Sequence, residues 1–285
     1  MLLTIHHAPC TGGSIISQIL AAATNSILVS EISPFAKISG DRSNPIHFNP
    51  TSLLWLLEYN SRDLSEKNKL KYFISQLDIS IEHSKELNKN LLLRDHTHTT
   101  FNWYNDELFL MNKRLGSSLL ECIKYFYHKE EKKIDFPLIK PIISVRHPLD
   151  SFIAARYKGW LSGMCREGIN IDNYCERLLN FQNYMKINES AIVIRYEDLC
   201  LGINESLKKL FLNLNINYEI PSLEQINVIN VTGKSGRKSI NIEPRERIIE
   251  LVNNELISDL ESSKNYKKYC ILNEYNPNYL SPPTS

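Results

Sequence analysis

Five short apolar runs, at 2–6, 26–30, 91–94, 141–145 and 191–195, are Leu-rich or β-branched, and stretches of helical periodicity separate them. Runs that are mostly apolar, rather than alternating, read as strands covered on both faces. Strands that alternate with helices need crossover connections and so lie parallel. The expected fold class is α/β, a central parallel sheet flanked by helices. Helices are expected near 13–23, 51–60, 66–88, 105–128, 149–160, 172–187, 203–213 and 243–261. A chain of 285 residues, 42% of them hydrophobic, can bury one sizeable core. Residues 1–285 therefore read as a single domain.

Ligands of such sheets bind beyond the carboxyl ends of the strands, and the informative motifs lie there. The first run, LLTIHH, passes into APCTGGS and then IISQIL. Adjacent Gly12 and Gly13 let the backbone approach a ligand and take positive φ. The helix that follows turns its unpaired N–H groups and positive dipole end toward the loop. Thr11 and Ser14 add hydroxyl donors, and the expected guest is a phosphate or sulfate. The triphosphate loop G-x-x-x-x-G-K-[ST] is absent, because the first Lys or Arg of the chain is Lys37. A C-x₅-R phosphatase is excluded, because Ile16 stands six residues after Cys10.

Four further segments combine a strand end or a loop with charged side chains: SVRHPLDSF at 144–152, LLLRDHTH at 91–98, IRYEDL at 194–199 and GKSGRKS at 233–239. With PCTGGS, they resemble the sulfotransferases that use 3′-phosphoadenosine 5′-phosphosulfate. PCTGGS is similar to that family's 5′-phosphosulfate loop, HIPKTGGTS in the glycan-modifying branch. SVRHPLDSF is similar to the 3′-phosphate element R-x-P-x-D. The resemblance implies a P-loop NTPase-like sulfotransferase fold. It also implies transfer of a sulfuryl group to a hydroxyl or amine of a glycan or small-molecule acceptor, with no metal. Cys10, Thr11, Gly12, Gly13 and Ser14 would hold the 5′-phosphosulfate. Arg146 and Ser151, with Arg237 and Lys238 of the late loop, would hold the 3′-phosphate. His96 would be the general base, a role that suits imidazole near neutrality, with His98 in reserve.

Two positions depart from the family pattern. Cys10 stands where the family carries a Lys that stabilises the leaving oxygen, a task left to Lys234, Arg237, Lys238 or His7. Ala154 stands where a 3′-phosphate Ser is usual. A P-loop-type kinase using ATP and a non-catalytic nucleotide-binding protein are the alternative readings. Asp198 reads more simply as a cap for the helix ESLKKLFLNL than as a catalytic carboxylate. A formal net charge of +1 gives no reason to expect nucleic acid as a partner. No stretch of about 20 apolar residues suggests a membrane span. The six cysteines show no paired spacing and read as thiols of a reducing, cytoplasmic setting. The segments at about 51–88 and 105–136 carry no motif and read as helical covers.

Overall fold

The computed structural model describes residues 1–32, 66–95, 118–129, 137–157, 169–231 and 252–278. His96, His98, Lys234, Arg237 and Lys238 lie outside the described residues, as do the expected helix at 51–60 and parts of those at 105–128 and 243–261.

The five apolar runs form one parallel sheet. Its strands are β1 (Leu2–His7), β2 (Ser26–Ile32), β3 (Asn90–Asp95), β4 (Ile142–Val145) and β5 (Ile192–Arg195), in the order β2-β3-β1-β4-β5. Every residue of β1 is buried, as a strand covered on both faces requires. The fold class is the expected one.

Ten helices are described: α1 (Gly13–Ala23), α2 (Glu66–Glu86), α3 (Ser118–Lys129), α4 (Pro148–Tyr157), α5 (Ile171–Glu189), α6 (Tyr196–Leu201), α7 (Ile203–Leu214), α8 (Leu223–Asn227), α9 (Asn254–Ser262) and α10 (Lys264–Leu272). Ile16, Ile19 and Leu20 of α1 join Leu207, Leu210 and Phe211 of α7 against Leu3 and Ile5 on one face of the sheet. The other face packs in two clusters. Leu2, Leu91 and Leu93 meet α2 and α3, while Ile143 and Val145 meet α4, α5 and α10. None of the described helices is long and apolar enough to cross a membrane.

The expected cap at Asp198 is corrected. An additional turn, α6, intervenes because Tyr196, Glu197 and Leu199 turn inward and are buried there. Asp198 lies inside that turn, 3.4 Å from Arg195, and α7 starts from Gly202 with no side-chain cap.

The strand order locates the crevice. From β1 the chain crosses to the β2 side of the sheet, and from β3 it returns past β1 to β4 and β5. The connections leaving β1 and β4, which are neighbours, thus run in opposite directions. In open α/β sheets such a divergence marks the ligand cleft, which places it here at the carboxyl ends of these two strands.

Candidate functional site

Both sides of the cleft carry functional candidates from the sequence. After β1 the chain turns sharply: Cys10 has φ 61° and Gly12 has φ 86°. A left-handed backbone costs a non-glycine residue about 1–2 kcal/mol, so Cys10 is held there by something else. Arg146, the first residue after β4, supplies a tie by donating Nη1–H to the Cys10 carbonyl at 3.1 Å.

The two glycines answer to two different neighbours. A Cβ on Gly12 would fall 2.3 Å from Tyr196 Cδ2, and one on Gly13 would fall 2.2 Å from His7 Cγ. The His7 ring is itself fixed. Arg94 Nε–H donates to His7 Nε2 at 2.9 Å, so the ring proton sits on Nδ1 and is donated to the Ala8 carbonyl at 3.1 Å. α1 then begins from Gly12 with no side-chain cap, no acidic residue in its first turn, and Ile16 N–H to Gly12 O at 3.1 Å as its opening bond. The N–H groups of Gly13, Ser14 and Ile15 precede that bond and face the loop. Half-buried Ser14 makes no hydrogen bond with its hydroxyl among the described residues, which leaves that donor uncommitted.

Two hydroxyls offered as ligand donors are turned elsewhere. Thr11 is fully buried. Its hydroxyl donates to the Ala8 carbonyl at 2.8 Å and lies 3.0 Å from Ser144 Oγ, so it braces the loop against β4. Ser151 is also fully buried and donates to the Pro148 carbonyl at 3.1 Å, with a further bond to Tyr174. Both stand next to the turns in sequence, but the Ala8 carbonyl with Ser144, and the Pro148 carbonyl in the α4 first turn, provide nearer partners.

Arg146 is the central side chain. It is 8% exposed, its guanidinium carbon lies 4.9 Å from the Tyr196 ring centroid, and the Cys10 bond is its one hydrogen bond among the described residues. None of the ion pairs among the described residues includes it. A guanidinium has five N–H donors, so most of the Arg146 donors meet no acceptor among the described residues, beside an uncapped helix N-terminus. That pairing suits an anion with several oxygens.

Sequence reasoning missed what surrounds Arg146. Glu197 is buried, and accepts His147 N–H at 2.9 Å and the Tyr275 hydroxyl at 2.8 Å. Burial pushes its carboxyl upward, against the downward pull of those two bonds, of its own backbone N–H and of Arg146. The His147 ring donates to the Asn276 carbonyl at 3.1 Å, so residues 275–276 pack behind the turn. A second group stands between β1 and β3, where His6 Nδ1–H donates to Asp95 Oδ2 at 2.7 Å with both residues fully buried. The strand register carries that signal: Ile5 pairs with Arg94, which places His6 beside Asp95.

No family model and no curated protein matches the chain. Solved structures similar to it include the sulfotransferase domain of the Synechococcus PCC 7002 olefin synthase, with a TM-score of 0.43 and 11% identity over 97% of this chain and 95% of that one. A sulfotransferase domain from the curacin biosynthetic pathway gives 0.44 and 15% over 96% and 98%. Mouse sulfotransferase SULT7A1 complexed with PAP gives 0.43 and 13% over 96% and 88%. Similarities at this level carry no residue-by-residue correspondence.

Proposed function

We propose that the chain is a single-domain sulfotransferase. It would move a sulfuryl group from 3′-phosphoadenosine 5′-phosphosulfate to a hydroxyl or amine of a glycan or small-molecule acceptor. The observation that supports this most is the guanidinium of Arg146, nearly buried yet with one hydrogen bond among the described residues, beside the uncapped start of α1. The absence of a Lys after Gly12 and Gly13 favours a phosphosulfate over a triphosphate.

In this reading the N–H groups of residues 12–15 and the Ser14 hydroxyl hold the 5′-phosphosulfate, and Arg146 holds the 3′-phosphate, joined by Arg237 and Lys238. The acceptor oxygen or nitrogen attacks sulfur in line, and the bond from sulfur to the phosphate oxygen breaks. The acceptor's proton passes to His96. Catalysis of this kind rests on positioning and on stabilising charge at the leaving oxygen. Cys10 cannot do that with its thiol, so the α1 N-terminus and the late basic loop carry the task.

Calorimetric titration with adenosine 3′,5′-bisphosphate and, separately, with ATP–Mg²⁺ tests the nucleotide. Tight binding of the first and none of the second is expected, and the reverse would indicate a kinase. A ³⁵S transfer screen across acceptors then tests turnover. His96→Ala should abolish transfer while leaving nucleotide affinity intact, and retained transfer would remove His96 from the mechanism.

A further inference from the structure

Glu197 is 4% exposed, and its carboxylate receives only neutral donors: the His147 N–H, the Tyr275 hydroxyl and its own backbone N–H. None of the ion pairs among the described residues includes it. The cation that favours its charged form is Arg146, the residue next to the N–H it accepts. Among the described residues Arg146 makes no hydrogen bond or ion pair with Glu197, but its guanidinium lies 4.9 Å from the ring centroid of Tyr196, the residue beside Glu197. An anion held at that guanidinium would offset the charge of Arg146 and add negative charge near the buried carboxylate. Both effects favour the protonated carboxyl.

We propose that anion binding in this cleft is proton-linked, with a dianion beside Arg146 drawing a proton onto Glu197. This rests on the reading of the cleft as an anion site, and it adds a regulation of that site by pH.

The other groups facing Glu197 narrow the choice of proton acceptor. His147 and Arg146 come from the β4–α4 turn, Tyr275 from the C-terminal segment, Tyr269 from α10 and Cys200 from its own helix. Arg195 of β5 lies over the Tyr275 ring at 4.7 Å, with Asp198 and Glu274 beside it. Burial raises both tyrosines well above their ordinary values and pushes the Cys200 thiol up to about 12, so all three keep their protons. His147 already donates from Nε2 to Asn276, and its Nδ1 lies 3.8 Å from Asp150. It is the rival proton acceptor, and a variant separates the two.

Inorganic sulfate is the probe, because its charge is constant from about pH 5 to 9 and any proton taken up belongs to the protein. Titration of the full chain in buffers of different ionisation enthalpy counts that proton. An uptake approaching one proton per sulfate is expected, with affinity tightening up to about tenfold for each unit of falling pH in the linked range. Glu197→Gln should bind sulfate with no uptake and a flat pH profile. Tyr275→Phe removes a donor to the ionised carboxylate and should move the uptake maximum to higher pH.

Sulfate binding without uptake in the unmodified chain would overturn the proposal while leaving the proposed function standing. Uptake that persists in Glu197→Gln would overturn it in favour of His147. Absence of sulfate binding at every pH would remove the anion site and the proposal together. Linked sulfate binding with no response to adenosine 3′,5′-bisphosphate would uphold the proposal and overturn the nucleotide reading instead.

Discussion

The two sides of the cleft are built by opposite means. After β1 the chain removes side chains: Gly12 and Gly13 make room for the Tyr196 and His7 rings, and backbone N–H groups are left to face a ligand. After β4 it adds them: Arg146 reaches back to Cys10, and Glu197 and the Tyr275 segment hold the turn from behind. The first half depends on space and on φ, whereas the second depends on charge and on contacts between distant parts of the chain. Damage to the first should appear as lost stability, and damage to the second as altered binding and pH dependence.

The largest effect is expected at Gly12. Gly12→Ala adds the cost of a left-handed alanine, about 1–2 kcal/mol, to a methyl overlapping the Tyr196 ring, about 1–3 kcal/mol. Urea unfolding should therefore show a loss of about 2–5 kcal/mol. Gly13→Ala meets the clamped His7 ring and should lose about 1–3 kcal/mol. Midpoints matching the unmodified chain would mean that neither ring limits the loop.

Arg146→Ala strikes the other half. Affinity for adenosine 3′,5′-bisphosphate should fall by about 1.5–3 kcal/mol, the usual cost of losing hydrogen bonds to a charged group. Unchanged affinity in calorimetry would place the ligand's phosphates elsewhere and leave Arg146 as a brace for Cys10.

The same contrast explains what could be read from the sequence. The strands were legible because each is rich in Leu or β-branched residues, and the start of α1 was legible because a glycine pair precedes an apolar helical stretch. Arg146 was legible as a candidate because it ends a strand. The directions of two hydroxyls were not. Thr11 and Ser151 sit beside the right turns, yet their directions depend on Ser144, Ala8, Pro148 and Tyr174, and the sheet decides those positions. Glu197 looked like one member of an acidic pair ahead of a helix. Its partners are 50 and 78 residues away, beyond any local pattern. Backbone-built features leave a signature at one place in the chain, and side-chain networks spread theirs over three.

A pH series sharpens the comparison at smaller magnitude. Because burial raises the Glu197 carboxyl in the folded chain, the folded state holds a proton that the unfolded state has released. That contribution is complete below the ordinary carboxylate range and is lost as pH climbs through the raised folded value. Unfolding free energy should decline over that interval by up to about 1.4 kcal/mol per pH unit from this group. Glu197→Gln should remove that part of the slope, and an unaltered slope would mean that the carboxyl is not the group responsible.

Cys200 gives the smallest effect and tests the side-chain half without touching Arg146. It lies on α6 with Glu197; burial first, and then that carboxylate, pushes its thiol up to about 12. Only the thiolate reacts with alkylating reagents, and at pH 8 a thiol of that kind is ionised to about one part in ten thousand, roughly a thousandfold less than an unperturbed cysteine. Iodoacetamide followed by mass spectrometry should leave Cys200 unmodified in the folded chain at pH 8 and modify it readily in urea. Labelling at the same rate in both would show that α6 opens to solvent. In that case Glu197 would not be held in the buried position on which its grip on the β4 turn depends.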